Sequence, residues 1–278
     1  MADVAEIVTI FMELMEDMVL IDYHVHAMAH GEYKYSADWL QGYINQARAR
    51  KISHLGFSEH DWLWSGIDLS AVQELAPKPE NADISIRVGI EVDYRPETEN
   101  EIKALLGQNS LDYVIGSVHH IGEWPFDHAD YKDKFLHCDI DEVYQEYYML
   151  VQQAVRSQLF DIVGHLDLVK VWGFRSSKYQ DSSRLKALLG EIRKSGMAVE
   201  VNTGGLRKPI GEIYPSENIL HSLFENNIPI TFGSDAHHPN QLGDGLSDAC
   251  RMAWNVGYRS MAGFSGRRKT WHLMAKSN

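Results

Sequence analysis

His24 and His26 stand two positions apart in Asp22-Tyr23-His24-Val25-His26. On a strand that spacing projects both imidazoles from one face, so both can reach a single ion. Further along, Glu59-His60-Asp61, Glu91 with Asp93, His119-His120, His165, Glu200 with Asn202, and Asp235 with His237 each close a short apolar run. A lone histidine at such a place usually satisfies only a local polar contact. Seven successive runs ending in ligand-type residues are a different proposition. Their convergence would be costly to desolvate unless cations compensated the charge. Imidazoles with carboxylates and no thiolate suit Zn, Mn or Fe, and an all-oxygen Mg or Ca site does not match. The candidates exceed one ion's needs, which predicts a cluster of about two to three divalent transition-metal ions, with a carboxylate bridging ions ~3.5–4 Å apart. Such a cluster is hydrolytic: bound water ionises near neutral pH, and the cations stabilise charge on a phosphoryl oxygen.

The elements that must carry these groups alternate along the chain. Runs rich in Val and Ile cover 19–23, 54–58, 86–92, 113–118, 162–164, 198–201 and 229–233. Segments of helical period cover 37–51, 99–106, 141–158, 182–194, 216–226 and 246–256, with a shorter one at 69–75. Strands joined by helix-length crossovers imply a parallel sheet with helices outside. Seven units without a break in composition favour one closed or nearly closed α/β barrel, whose C-terminal strand ends meet at one mouth. Ser36, Asp181, Ser182 and Ser216 read as helix N-caps, and Gly196 as a left-handed stop. Thr203-Gly204-Gly205 lacks the spacing of a phosphate-binding fingerprint and reads as a tight βα turn.

The 278 residues carry a formal charge of −13 and are 44% hydrophobic. That balance excludes intrinsic disorder as the main state and argues against nucleic acid as partner. A small anionic substrate remains compatible, because bound metal reverses the local sign. Cys138 and Cys250 form no pair motif, so no disulfide framework is expected and a cytoplasmic location fits. No run reaches the ~20 apolar residues of a membrane helix. Residues 1–17 mix Ile7, Phe11 and Leu14 with Glu6, Glu13 and Asp17, without a basic residue. This is no secretory signal; it reads as an N-terminal extension, a short amphipathic helix, ahead of a single domain over 18–278.

The ordered motifs His-x-His, Ser-Glu-His, Gly-x-Glu-Val-Asp-Tyr, Ser-Val-His, Val-Gly-His, Asn-Thr-x-Gly-Leu-Arg-Lys and Gly-Ser-Asp-Ala-His run from Asp22 to His238. This order resembles the PHP (polymerase and histidinol phosphatase) superfamily. Residues 202–208, with Glu212-Ile213-Tyr214-Pro215, and residues 90–94 and 143–148 are similar to its monofunctional histidinol-phosphatase branch. The resemblance implies a distorted seven-stranded (β/α)7 barrel with a trinuclear site. It implies that His24, His26, Glu91 and Asp235 hold one ion, and that Glu91 bridges to a second held by His119 and His165. A third ion would use His60, His237 and a histidine of the loop after the first strand. Where the family pattern places that loop histidine this chain has Glu32; His30 is the nearest replacement, with Glu32 itself as the alternative ligand.

The activity implied is hydrolysis of L-histidinol phosphate to L-histidinol and phosphate, a step of histidine biosynthesis, with Asp235 or His237 as the candidates to manage protons. Arg207, beyond the sixth strand, has the planar fork that binds phosphate oxygens in pairs. Trp172, Arg175 and Lys178 are expected near the pocket, and Trp62 and Trp64 as an apolar wall. His120, His128 and His238 neighbour the motifs but are expected outside the ligand set. The alternatives are another small phosphate ester or nucleotide as substrate, or a non-catalytic metal or metabolite binder.

Overall fold

All seven apolar runs become neighbours in one parallel sheet of the computed structural model, which describes residues 19–178 and 183–274. The expected helix over 1–17 and the caps at Asp181 and Ser182 lie outside the described residues. The strands are β1 (Ile21–Asp22), β2 (His54–Phe57), β3 (Ser85–Asp93), β4 (Tyr113–Ser117), β7 (Ile162–Val163), β8 (Ala198–Asn202) and β9 (Ile230–Gly233). They pair in chain order from β1 to β9. The two edges meet as well: Tyr23 N–H donates to Phe232 O (3.0 Å) and His26 N–H to Ala236 O (2.8 Å). The sheet is therefore a nearly closed barrel. The first strand is shorter than the run 19–23 because only Ile21 and Asp22 find register partners on β2, at His54 and Leu55.

The helices are α1 (Ala37–Ala49), α2 (Leu69–Leu75), α3 (Glu99–Gln108), α4 (Ile140–Ser157), α5 (Ser183–Ser195), α6 (Glu217–Glu225) and α7 (Leu246–Val256). α1 shows why they form where they do. Ser36 Oγ accepts the Trp39 N–H, and Leu40, Tyr43, Ile44 and Ala47 fall on one buried face. Gly196 takes φ +75° after α5, as its position predicts. Ser216 does occupy the N-cap of α6, but its side chain makes no capping bond.

The lower half of the barrel is filled by rings. Tyr113 stacks on Tyr23 at 4.8 Å and donates its hydroxyl to Tyr23 O (2.7 Å). Gly56 and Gly89 make this possible, since a Cβ at either position would overlap the Tyr113 ring. The rings are covered from below by a hairpin absent from the sequence reading, β10 (Ser260–Ser265) and β11 (Arg268–Leu273). Phe264 packs against both tyrosines, and the hairpin turn is latched by Gly266 N–H to Asp112 Oδ1 (2.9 Å) and by an Arg267–Asp161 ion pair. A second unforeseen ribbon, β5 (His120–Ile121) with β6 (Trp124–Pro125), rises beside the mouth after β4. With the hairpin across its floor, the barrel has its cavity at the C-terminal strand ends, where the histidines lie.

Candidate metal centre and active site

Glu91, near the end of β3 and 1% exposed, sits among five imidazoles from four strand ends. Its Oε1 lies 3.3 Å from His24 Nε2, 3.0 Å from His165 Nε2 and 3.6 Å from His119 Nε2. Its Oε2 lies 3.4 Å from His26 Nε2 and 2.9 Å from His60 Nδ1. Asp235 Oδ1 completes the ring, 3.5 Å from His26 Nε2 and 4.0 Å from His24 Nε2. Of these approaches only that of His165 Nε2 to Glu91 Oε1 has hydrogen-bond geometry. His24 Nε2, both ring nitrogens of His26 and of His60, and Glu91 Oε2 are buried without a hydrogen-bond partner. Buried polar atoms are rarely left so, and lone pairs crowded without donor geometry are what shared cations require. Three sets bring ligand atoms within 4.8 Å of one another: His26–His60–His237, His24–His26–Asp235 and His24–Glu91–His165. The donor set fits divalent metal, with nitrogen and carboxylate ligands and no sulfur.

Electrostatics agree. Desolvation, reinforced by neighbouring histidines, pulls His26 well below its ordinary value and His237 down to about 4. Both are held as neutral imidazoles, the form that ligates metal. Desolvation would also lower His24, but Glu200, Glu91 and Asp235 outweigh it and raise it well above the usual range. Around the ring, other carboxylates aim the ligands. Glu200, 1% exposed, places Oε1 2.6 Å from His24 Nδ1 and accepts the His165 N–H at Oε2 (2.9 Å). Asp93 accepts the His119 N–H (3.0 Å), approaches His119 Nδ1 at 3.4 Å and His120 Nδ1 at 2.8 Å. A carboxylate behind a ligating histidine fixes its tautomer and ring orientation. Glu59 accepts the N–H groups of Ala27 (2.5 Å) and Met28 (3.1 Å), fixing the loop beyond His26; burial pushes its pKa up to about 8. Glu59 and Glu200, which the strand ends offered as ligands, are thus braces. Asp235 has φ +56°, a conformation uncommon outside glycine. Arg207 Nη2 holds that turn by donating to Ser234 O (2.7 Å) and Asp235 O (2.8 Å).

A family model described as the PHP domain matches residues 22–204, more than half of the chain. The chain belongs to the PHP-domain family. The PHP chain is 39% identical over 180 residues to a protein of Deinococcus radiodurans named probable histidinol-phosphatase, spanning 64% of this chain and 67% of that one. It is 30% identical over 259 residues to the histidinol-phosphatase of Bacillus subtilis, spanning 80% and 95%. Among solved structures, the histidinol phosphate phosphatase of Lactococcus lactis, complexed with zinc, L-histidinol and phosphate, superposes with a TM-score of 0.74 at 22% identity, over 91% of this chain and 99% of that one. That likeness establishes the shared barrel.

The mouth of this PHP barrel is a cavity of about 370 Å³. Its metal-side lining includes His30, His60, Glu91, His119, His165, Asp235 and His237; Trp62, Trp172, Pro125, Asp127 and Lys208 form other walls. His30 is well exposed, yet its ring lies 4.7 Å from that of His237 and 5.8 Å from that of His60. Glu32 instead accepts the His30 N–H (2.6 Å) and does not line the cavity. Trp62 stacks on His60 at 3.9 Å, whereas Trp64 packs on the core. Arg175 and Lys178 depart from expectation: they pair with Glu212 and Asp141 and do not line the cavity. Arg207 lines a smaller adjoining hollow with His30, Lys208 and His237. His120 and His128 line the main cavity, and His238 caps a short turn instead. What the sequence did not disclose is the wall from β6 and the residues after it, because its residues carry no ligand spacing.

Proposed function

We propose that this chain hydrolyses L-histidinol phosphate to L-histidinol and phosphate at a cluster of about two to three divalent transition-metal ions, Zn, Mn or Fe. The observation that carries this reading is Glu91, a buried carboxylate with both oxygens facing unpartnered imidazoles at the floor of an open cavity. Relatives named histidinol-phosphatase support the substrate. His24, His26, Glu91 and Asp235 would hold one ion, Glu91, His119 and His165 a second, and His30, His60 and His237 a third. His26 also stands within reach of the third set. When bound, such ions lower the pKa of water and neutralise phosphoryl oxygens.

The chain's own groups do the rest. Lys208, whose ammonium makes no ion pair among the described residues, meets the phosphate from the cavity wall. Arg207 is proposed as a phosphate ligand through its remaining guanidinium nitrogens, with Nη2 tied to the Asp235 turn. Asp235 and His237, 3.7 Å apart at the rim, are the groups proposed to manage protons, with His237 Nδ1 donating to the Asp235 carbonyl (3.0 Å). Trp62 and Trp172 exclude water from the organic end of the substrate. No helix among the described residues is long and apolar enough to cross a membrane, in keeping with a small dissolved substrate.

The test is steady-state kinetics on a panel of phosphate monoesters, with Mn or Zn added, beside elemental analysis of the same preparation. Preference for L-histidinol phosphate together with bound transition metal is the expected result. Equal rates on unrelated esters would make the chain a general phosphoesterase, and absence of metal with no activity recovered by Mn, Zn or Fe would end the proposal.

A further inference from the structure

One carboxylate in the cavity is left without a task by the reading above. Asp127 lines the same space as Glu91, His119 and Asp235, yet makes no hydrogen bond or ion pair among the described residues. The other carboxylates at the mouth are committed. Glu91 and Asp235 face the imidazoles, and Asp93 is held by His119 and His120. A half-buried anion that the fold does not pair is costly to keep unless something else meets it.

Its placement is built. Asp127 is the third residue of a turn closed by His128 N–H to Pro125 O (3.1 Å). The preceding residue, Phe126, is fully buried and packs edge-on against Tyr147 at 5.4 Å. Trp172, from across the cavity, donates its indole N–H to Phe126 O (2.7 Å). Both sides of the turn are therefore pinned, and the carboxylate is presented by a rigid support.

The cavity is thus bipolar in its free charges, with Lys208 on one wall and Asp127 on another. L-Histidinol phosphate has matching polarity, since its carbon next to the ester methylene bears a primary ammonium. We propose that Asp127 is a specificity residue that pairs with this ammonium and so selects amino-alcohol phosphates over esters that lack the amine. This rests on the proposed function and deepens it. The phosphate goes to the metals and Lys208, the ammonium to Asp127, and the imidazole lies toward Trp62.

The test compares L-histidinol phosphate with its desamino analogue, 3-(imidazol-4-yl)propyl phosphate, on the parent and on Asp127→Asn, with metal content measured on both proteins. A charge-assisted contact predicts that the parent prefers the aminated ester by roughly 10–100-fold in kcat/KM. In Asp127→Asn that preference should collapse toward unity with metal content equal to the parent's. The parent supplies a second measurement that needs no variant: L-histidinol should inhibit more tightly than its desamino counterpart by a similar factor. A parent that hydrolyses neither ester would overturn the proposed function and the anchor with it. A parent active on both whose preference is absent, or survives unchanged in Asp127→Asn, would overturn the anchor alone. Loss of metal in the variant would make Asp127 a ligand and equally overturn the assignment.

Discussion

Replacing Glu200 by Gln keeps the shape of the side chain but removes its charge and its capacity to accept at both oxygens. Oε1 meets His24 Nδ1 at 2.6 Å and Oε2 accepts the His165 N–H at 2.9 Å. A glutamine has one acceptor and one donor end. With its carbonyl toward His24, the amide NH2 faces the His165 N–H and leaves a buried backbone donor unpaired, at a cost of about 1–3 kcal/mol. Turned round, its NH2 makes His24 Nδ1 an acceptor, moves the ring proton to Nε2 and blocks the nitrogen that faces Glu91. Repacking is restricted, because Gly233 lies so close that a Cβ there would overlap Glu200 Oε1 and come within 2.5 Å of His24 Cβ. Losing the carboxylate behind a ligand histidine typically costs 10–100-fold in metal affinity, or about 1.4–2.8 kcal/mol. Competition with a chromophoric chelator reads that affinity directly, and thermal melting with and without metal separates it from a folding defect. If Glu200→Gln held metal within about threefold of the parent, the claim that Glu200 sets the His24 tautomer would be refuted.

Glu91→Gln and Asp235→Asn should each abolish hydrolysis while the barrel stays folded by circular dichroism; near-parental activity in either would remove that residue from the metal centre. Arg207→Ala should lower kcat/KM on histidinol phosphate by roughly 10²-fold, with Lys restoring only part. Because Arg207 also braces the Asp235 turn, some loss of metal should accompany it; unchanged kinetics would hand the phosphate to Lys208 alone. His54 sits beside Tyr23 and His272, where desolvation, with the charges of His272 and Arg87, lowers its pKa from 6.5 to about 4. Between those values the unfolded chain binds the proton and the folded one resists it, so stability should fall as pH drops from 6.5 toward 4. His54→Gln should flatten that limb of the melting curve, and a variant as acid-sensitive as its parent would contradict the assignment.

The strand order and the position of the mouth were legible because short apolar runs and histidines recur together; β2 and β9 fall where Ile, Leu and Phe cluster before Glu59 and Ser234. Roles within the mouth were less legible. Glu200 and Glu91 are chemically the same residue at the same kind of place, yet in the fold Glu200 meets Nδ1 of His24 and Glu91 its Nε2, the nitrogen that faces the other ligand atoms. Arg175 and Lys178 looked like pocket cations until Glu212 and Asp141, distant in sequence, neutralised them. Asp127 and the β10–β11 hairpin left no mark because neither follows a ligand spacing or a βα alternation, and their meaning is entirely tertiary.

The hairpin has a consequence for how the molecule is assembled. It follows every barrel strand along the chain, yet it is what covers the Tyr23 and Tyr113 rings from below. During synthesis the parallel sheet can form around those rings while their lower faces still meet water. Such a sheet is a slow, non-local structure with exposed apolar surface, the kind of intermediate that chaperones retain. Docking of Phe264, with Arg267 reaching Asp161 and Gly266 reaching Asp112, then locks β4 and β7 from their N-terminal ends. The completion of the cylinder that aims the histidines is thereby tied to a segment that follows all seven of its strands along the chain.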